Sequence, residues 1–131
     1  MKKTTLLNQA LSEVVAGMGH GDLLVIADYG LPCPRGVCRI DLALCPGVPG
    51  IVQTLETVLT ELQVESAWLA VETGGRSPEL AGRLEQALRG VPLQRVSHEA
   101  LKQISSAAVA IVRTGECTPY ANVILKAGVT F

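Results

Sequence analysis

The polar residues that could do chemistry stand at the ends of apolar stretches. The chain holds two histidines, His20 and His98, and each lies where a helix or strand is predicted to begin. Asp28 follows the apolar run 23–27, at a strand end where open α/β sheets place ligand groups. Because imidazole titrates near neutrality, these residues suit general acid–base chemistry on a small molecule.

His20 is enclosed by glycines in the stretch Gly-Met-Gly-His-Gly-Asp, residues 17–22. A glycine on each side removes Cβ atoms that would crowd the backbone, which predicts a tight, open turn within reach of a small molecule. Two simpler interpretations stay open. Either histidine alone could be a capping or core imidazole, and Asp28 could start an Asx turn.

A third polar cluster follows the apolar run 107–112. Residues 113–122 read Arg-Thr-Gly-Glu-Cys-Thr-Pro-Tyr-Ala-Asn and combine a guanidinium, a carboxylate, hydroxyls and an amide. Because each sugar hydroxyl both donates and accepts hydrogen bonds, such a set suits a polyhydroxylated ligand. A solvated loop of ordinary turn residues is the competing interpretation.

Alternating helical and extended patterns would position these residues. Apolar spacing and start signals predict helices at 6–18, 51–62 and 77–89, and a short one opened by Ser97 that carries Lys102. Apolar runs predict strands at 23–27, 67–71, 93–96 and 107–112, with weaker strand signals at 39–44 and 120–125 and a turn at 73–75. The order predicts an α/β fold, a three-layer sandwich with a mostly parallel sheet flanked by helices, in one domain over residues 1–131.

Composition narrows the classes of partner. Of the 131 residues 48% are hydrophobic but only 3% are aromatic, so the core must be aliphatic, and so oily a small chain favours a homo-oligomer. The net charge is −1 and the basic residues are dispersed, which argues against nucleic acid as a partner. No apolar run approaches membrane-spanning length and polar residues interrupt any export signal, so we expect no membrane partner and a soluble intracellular protein.

Four cysteines are present, Cys33, Cys38, Cys45 and Cys117. Their spacing contains no CxxC, and with two histidines in the whole chain no zinc template exists. We therefore expect no metal and interpret these residues as small, partly buried, reduced thiols.

The spacing of His20 and Asp28 carries a geometric consequence. An extended strand over residues 23–27 separates the two side chains by roughly 15 Å at about 3.3 Å per residue. Either the chain curls back or the site is composite. We predict that neighbouring subunits contribute to each site, with the segment 118–131 as the shared wall.

Several short motifs, taken together, are typical of one protein family. They are Gly19-His20-Gly21-Asp22, Ile26-Ala27-Asp28, Gly30-Leu31-Pro32, Gly47-Val48-Pro49, Ser97-His98-Glu99, Arg113-Thr114-Gly115-Glu116 and Thr118-Pro119-Tyr120-Ala121-Asn122. Through them the chain resembles the D-ribose pyranase family of sugar mutarotases along essentially its whole length. The related fucose mutarotases look similar around His20, but they generally lack the Gly-Leu-Pro motif and the Thr-Pro-Tyr-Ala-Asn ending.

This resemblance implies an isomerase that interconverts the pyranose and furanose forms of D-ribose, with no metal or organic cofactor. It also implies a cytoplasmic protein assembled as a ring-based homo-oligomer, typically a decamer. His20 would be the catalytic proton donor. The residues expected to bind the sugar are Asp28, His98, Tyr120, Ala121 and Asn122, with Lys102 close by.

Three alternatives remain from the sequence. The chain could be a fucose-type mutarotase, a non-catalytic sugar-binding protein of the same fold, or a structural assembly protein whose polar loops only make intersubunit hydrogen bonds. Tyr29 departs from the small residue usual after the aspartate, and a phenol beside Asp28 could narrow the pocket or alter sugar preference.

Overall fold

Six strands form one sheet, and a computed structural model describes all residues 1–131. In chain order the elements are α1 (Gln9–Gly17), β1 (Leu23–Ala27), β2 (Cys38–Asp41), α2 (Ile51–Leu59), β3 (Val64–Ala70), α3 (Val71–Arg76), α4 (Pro78–Ala87), β4 (Leu93–Val96), α5 (His98–Ser105), β5 (Ala110–Arg113) and β6 (Val123–Ala127). The spatial order of the strands is β2-β5-β1-β6-β3-β4. All neighbours run parallel except β6, which is antiparallel to both β1 and β3. The predicted α/β fold with a mostly parallel sheet flanked by helices is confirmed.

The strand β1 lies inside the sheet and is covered on both faces. Leu24 and Ile26 belong to the larger apolar layer, to which α1, α2 and α4 also contribute. Val25 and Ala27 belong to the smaller layer on the other face, with α5. Since successive strand residues point to opposite faces, a continuous apolar run is what a strand covered twice requires. Burial of each large side chain contributes about 1.5–3 kcal/mol, so β1 is a firm support for the loops at its two ends.

The two ends of the sheet are named here after β1. The amino end is the edge where β1, β3 and β5 begin, and the carboxyl end is the edge where they finish. The antiparallel strand β6 starts at the carboxyl end, where Val123 pairs with Ile26, and returns to the amino end, where Lys126 pairs with Leu23. β6 therefore connects the two ends directly.

The first helix is shorter than the predicted span 6–18. It begins at Gln9 because the side-chain oxygen of Asn8 accepts the N–H of Leu11 at 2.9 Å and caps the helix. Leu6 is buried ahead of the helix, whereas Leu7 is exposed. The prediction was too long at its start because Leu6 and Leu7 fit the helical apolar spacing although they precede the capping residue.

The turn predicted at residues 73–75 is wrong, because these residues lie in α3. Thr73 is completely buried there, and its hydroxyl donates to the carbonyl of Tyr120 at 2.6 Å. This tertiary contact outweighs the weak helix propensity of the two glycines that follow. At the next helix Pro78 occupies its predicted first position, but the Ser77 hydroxyl makes no capping hydrogen bond.

The strand predicted at 120–125 begins only at Val123. Tyr120 has φ 63°, a left-handed conformation that cannot continue an extended strand. The strands β1 and β4 match the predicted bounds 23–27 and 93–96, whereas β2, β3 and β5 differ from prediction at their ends. Their observed bounds are Cys38–Asp41 against 39–44, Val64–Ala70 against 67–71, and Ala110–Arg113 against 107–112.

The cysteines are more accessible than expected. Cys33 is half-buried, but Cys38, Cys45 and Cys117 are exposed, and all four thiols are free. The expectation of partly buried thiols is wrong for these three because β2 is an edge strand and the other two lie in loops. None of the helices has the length and apolar character needed to cross a bilayer.

Candidate active site

Asp28 and Asn122 meet at the carboxyl end, where β1 finishes and β6 begins. Asn122 Nδ2 donates to Asp28 Oδ2 at 3.0 Å, and Asn122 Oδ1 accepts the backbone N–H of Asp28 at 3.0 Å. The other carboxylate oxygen accepts the N–H of Gly30 at 2.9 Å, so the Asx turn is present as well. Asn122 is completely buried and Asp28 is half-buried. The asparagine therefore holds the carboxylate in a fixed direction from behind.

The backbone at Tyr120 is strained. A left-handed aromatic residue costs on the order of 1–3 kcal/mol, and such conformations concentrate at functional sites. Three contacts hold the segment: the Tyr120 carbonyl accepts from the Thr73 hydroxyl and from the Asn122 N–H at 2.9 Å, and the Ala121 N–H donates to the Thr118 carbonyl at 3.3 Å. Ala121 is completely buried. The fold thus imposes a conformation that the isolated segment would not keep.

His98 packs against Tyr120 from the neighbouring helix. The ring centroids are 5.0 Å apart with planes at 78°, an edge-to-face contact. His98 is the first residue of α5, which the Ser97 hydroxyl caps by accepting the Ala100 N–H at 3.2 Å. Nδ1 of His98 is buried and has no hydrogen-bond partner. Two residues that the sequence resemblance assigns to sugar binding are thus in direct contact in the fold.

Glu72 and Lys102 flank this contact. Glu72 Oε2 accepts the His98 backbone N–H at 2.9 Å. The backbone N–H of Glu72 itself and then that of His98 lower the pKa of the Glu72 carboxyl, so it remains ionised. Lys102 lies one helical turn after His98 on the same face, with its Nζ 2.5 Å from Glu99 Oε1.

The polar groups at the start of the segment 113–122 bond to the protein itself. Arg113 Nη1 donates to both carboxylate oxygens of Asp41 at 3.1 Å, and its Nε donates to the Tyr29 carbonyl at 2.9 Å. The hydroxyl of buried Thr114 donates to the Ala27 carbonyl at 2.7 Å. These groups build the loop, and only the end of the segment reaches the candidate site.

Glu116 organises the loop that leads into Tyr120. Its Oε1 accepts the N–H of Cys117 at 3.1 Å and both the N–H and the hydroxyl of Thr118, at 3.0 and 2.7 Å. Its Oε2 accepts the N–H of Ile51, the first residue of α2, at 3.3 Å. Burial raises the pKa of the Glu116 carboxyl, but these hydrogen bonds outweigh burial and the pKa lies below its ordinary value.

Gly115 brings the same loop into direct backbone contact with residues 45–50. Its carbonyl accepts the Gly47 N–H at 2.6 Å, and its N–H donates to the Pro49 carbonyl at 2.9 Å. A Cβ at this position would lie 2.5–2.6 Å from backbone atoms of Val48 and Cys45. Only glycine permits this approach.

His20 lies at the opposite, amino end of the sheet. Its Nε2 is 2.7 Å from Glu65 Oε2, and the other oxygen of Glu65 is 2.6 Å from Lys126 Nζ. The hydrogen bond from Lys126 and then that from His20 lower the pKa of the Glu65 carboxyl. The His20 side chain is 59% exposed. It is accessible, as predicted.

The glycines beside His20 play different roles. Gly21 has φ 89°, which requires glycine. An added Cβ would have no atom closer than 3.8 Å at Gly19 and 3.9 Å at Gly21. The expectation that these glycines relieve crowding is therefore wrong for both. Only Gly21 must be glycine, and the reason is its backbone conformation.

The structure brings together Asp28, Tyr120, Ala121, Asn122 and His98, with Lys102 on the same helix face as His98. His20 stands apart from them, because β1 is fully extended between it and Asp28 and the chain does not curl back. Sequence reasoning missed Glu65 and Lys126, which the β6 hydrogen-bond register brings to His20 from distant parts of the chain. The alternation of Val64, Glu65 and Ser66 ahead of the predicted strand 67–71 was the only local signal for them.

Three comparisons place this geometry among known proteins. The sequence model of the RbsD / FucU transport protein family matches residues 1–130. A protein of Symbiobacterium thermophilum named D-ribose pyranase is 71% identical over 131 residues, with 100% of both chains covered.

Two solved structures are similar over their full lengths. The structure of Bacillus subtilis RbsD complexed with D-ribose is 44% identical, covers 100% of both chains and has a TM-score of 0.97. The fucose mutarotase of Streptococcus pneumoniae, in complex with L-fucose, is 29% identical with a TM-score of 0.84 and the same coverage. The likeness is therefore greater to the ribose complex than to the fucose complex.

Proposed function

The chain belongs to the RbsD / FucU transport protein family, and from that premise we propose that it interconverts the pyranose and furanose forms of D-ribose without a metal or organic cofactor. The observation that carries the proposal is the match over the whole chain to a ribose-bound structure. The name of the highly similar relative supports the same reaction. The clustered polar residues at the carboxyl end supply a site of suitable chemistry.

The reaction needs only proton transfer. In ring opening the C1–O bond to the ring oxygen breaks, and its electron pair stays on that oxygen, which takes up a proton. The anomeric hydroxyl loses its proton, and the electron pair of its O–H bond forms the carbonyl. Reclosure through a different hydroxyl reverses both movements and yields the other ring size. We assign the donated proton to His20, whose imidazole can also take one back.

The carboxyl end would bind the sugar. Asp28 offers a half-buried carboxylate that accepts hydrogen bonds from sugar hydroxyls, and Asn122 keeps it oriented. Tyr120 and His98 provide an aromatic wall with polar tips. Ala121 is completely buried and its N–H is bonded to Thr118, so in this proposal it supports Tyr120 and Asn122 from within the loop. Lys102 would lie at the edge of this site.

A site that includes both His20 and Asp28 requires two copies of the chain. The amino end of one copy would meet the carboxyl end of the next. This is a heterologous contact, which forms a ring when the rotation between neighbouring copies closes. Exposed apolar residues support this: Val129 and Phe131 follow β6 at the amino end, and Val71 and Leu44 lie at the carboxyl end. A ring-based decamer is the size that we expect.

The segment 118–131 would serve both sides of such a contact. Its first residues line the carboxyl end, and its last residues leave the sheet at the amino end. Because one sheet contains strands from both halves of the chain, residues 1–131 would act as one domain. Free thiols fit the reducing cytoplasm that we expect as its location.

Saturation-transfer NMR tests this function by measuring exchange between ring forms of ribose, fucose, allose and galactose side by side. We expect the largest acceleration for ribose, and a loss of about 100-fold or more in His20→Ala, because general acid–base catalysis contributes that much. Faster exchange of fucose than of ribose would replace the proposal with a fucose-type activity.

Thermal unfolding separates the remaining alternatives. Ribose should raise the unfolding temperature, since a ligand that binds the folded state stabilises it. A raised temperature without any acceleration of exchange would indicate a non-catalytic sugar-binding protein. If neither effect occurs and Tyr120→Ala breaks the oligomer, the chain has an assembly role instead.

A further inference from the structure

We infer that Glu65 is a positioning residue for His20: by accepting a hydrogen bond from Nε2, it fixes the imidazole tautomer and makes Nδ1 the nitrogen that exchanges protons with the sugar. The inference rests on the proposed role of His20 as the proton donor. It adds a residue to that role and assigns the transfer to one atom of the ring.

The contact geometry supports a fixed carboxylate. Glu65 lies near the start of β3, and one of its oxygens is 2.7 Å from His20 Nε2 while the other is 2.6 Å from Lys126 Nζ on β6. Each oxygen therefore has its own partner. The carboxylate cannot rotate away from the imidazole without also breaking the ion pair with Lys126.

The charge of Glu65 decides which ring nitrogen carries hydrogen. Lys126 and His20 lower the pKa of this carboxyl, so it is ionised near neutral pH. An ionised carboxylate accepts hydrogen bonds and cannot donate them. Nε2 of His20 must then carry its hydrogen in both the neutral and the charged imidazole. In the neutral ring Nδ1 has the free lone pair, and in the charged ring Nδ1 carries the transferable proton.

The charges around His20 suit a proton that moves in both directions. Glu65 faces the ring from β3, Lys126 joins Glu65 from β6, and Asp22 lies in the same turn, where its carboxylate accepts the Gly19 N–H at 2.8 Å. When Nδ1 takes up a proton, the imidazolium stands beside the Glu65 carboxylate. When Nδ1 gives that proton to the ring oxygen, the Nε2–H bond to Glu65 is unchanged. Glu65 keeps its charge throughout.

The tautomer can be measured in the unmodified protein. Magic-angle-spinning NMR of the assembled protein with ¹⁵N-labelled histidine has only two rings to assign, and His20→Gln identifies the His20 signals by subtraction. In the neutral ring, we expect His20 to carry hydrogen on Nε2 and none on Nδ1. A neutral His20 with hydrogen on Nδ1 would overturn the inference whatever the activity of any variant.

Substitutions at Glu65 test the effect on catalysis. In Glu65→Leu we expect kcat to fall about 100-fold, because the imidazole loses the acceptor that orients it. Catalytic histidines elsewhere also lose activity when their orienting carboxylate is replaced. KM should change by less than about twofold, since Glu65 does not touch the sugar. Glu65→Gln keeps an oxygen that accepts from Nε2–H, so it should recover kcat to within about tenfold of the unmodified protein and keep the tautomer.

Glu61→Leu is the matched control. Glu61 is also an ion-paired glutamate, 3.1 Å from Lys2, but no histidine contacts it. This variant should keep kcat and KM. If the unmodified protein accelerates ribose exchange and Glu65→Leu has the same kcat as Glu61→Leu, the positioning role is wrong while the proposed function stands. If the unmodified protein does not accelerate exchange but shows the Nε2–H tautomer, the function fails and the contact is structural.

Discussion

The two ends of the sheet hold their polar side chains in opposite ways. At the carboxyl end Asn122 and Thr73 are completely buried and each is hydrogen-bonded to another loop of the site. At the amino end the His20 side chain is 59% exposed and touches one carboxylate. The carboxyl end is thus organised within a single chain, whereas the amino end presents a single reactive group that another molecule can cover.

Burial explains why the two ends differ. A polar group removed from water without a hydrogen bond costs about 1–3 kcal/mol, so the buried groups at the carboxyl end are fixed by obligatory partners. An exposed imidazole can hydrogen-bond to water instead, so a single contact is enough to orient it. Loss of a buried contact at the carboxyl end should therefore unfold a loop, while loss of the exposed imidazole should remove chemistry and leave the fold intact.

The strongest loss of activity is expected from variants that test the separation of the two ends. His20→Ala and Asp28→Ala should each lose nearly all activity, but co-expressed together they should form mixed oligomers with about one quarter of the unmodified activity. In a composite site, His20 must come from an Asp28→Ala chain and Asp28 from a neighbouring His20→Ala chain. Random mixing produces this pairing in about one site of four. Exchange NMR with ribose measures the activity of the mixed oligomers after purification through tags on both variants.

The double variant His20→Ala/Asp28→Ala co-expressed with the unmodified chain provides the reference for random mixing. Here too about one quarter of the sites contain both intact ends, because both neighbours must be unmodified. Mixed oligomers of the two single variants that stay inactive would show that both residues act within one chain, and the contrast between the two ends would then lose its functional meaning.

The second prediction concerns the backbone contact that supports the carboxyl end. Gly115→Ala should lower the free energy of unfolding by about 3 kcal/mol, since its Cβ would overlap backbone atoms of Val48 and Cys45 that have no room to move. Urea denaturation measures the change. Gly75→Ala is the control: nothing lies within 4 Å of a Cβ there, and alanine in a helix should leave stability equal or higher by about 0.5–1 kcal/mol.

Gly115→Ala also tests whether the two ends of the sheet are independent of each other. Gly115→Ala should disturb the loop before Tyr120 and weaken ribose binding, yet the His20 tautomer should stay as it is because the amino end has separate contacts. An altered His20 tautomer in Gly115→Ala, with the fold retained, would mean that the two ends are coupled within one chain.

A modest change in the pH dependence of stability is expected when Glu116 is replaced. Because the pKa of its carboxyl is lowered in the fold from the ordinary 4.5, the ionised form stabilises the fold above that value, and the contribution is lost as the pH falls through the folded pKa. Glu116→Gln lacks this contribution. Its free energy of unfolding should be lower near neutrality and should fall less steeply between about pH 5.5 and pH 3.

Urea denaturation across this pH range measures the difference. Glu56→Gln, an exposed glutamate on α2, controls for the loss of one negative charge. If the curves for Glu116→Gln and the unmodified protein run parallel down to pH 3, the carboxylate of Glu116 does not hold the loop, and the carboxyl end is organised by backbone contacts such as those of Gly115.

Local patterns predicted the elements that carry the site. The uninterrupted apolar run 23–27 identified β1 because only a strand covered on both faces needs it, and that placed Asp28 at a strand end. Ser97 predicted the start of α5 with His98 in its first turn, since its hydroxyl caps the helix. The left-handed conformation of Tyr120 and the helical conformation of Thr73 were not predicted, because the hydrogen bond between them joins residues 47 positions apart.

The α/β order, the aliphatic core and the residue types available for proton transfer and sugar binding could be predicted from the chain's own pattern, because apolar periodicity and capping act over a few neighbouring residues. The antiparallel placement of β6 between β1 and β3, in contrast, is a property of the complete fold. That placement brings Asn122 to Asp28 at one end and Lys126 to Glu65 and His20 at the other. Such pairings depend on strand order and register, which arise from packing the whole chain at once and leave no local trace in the sequence.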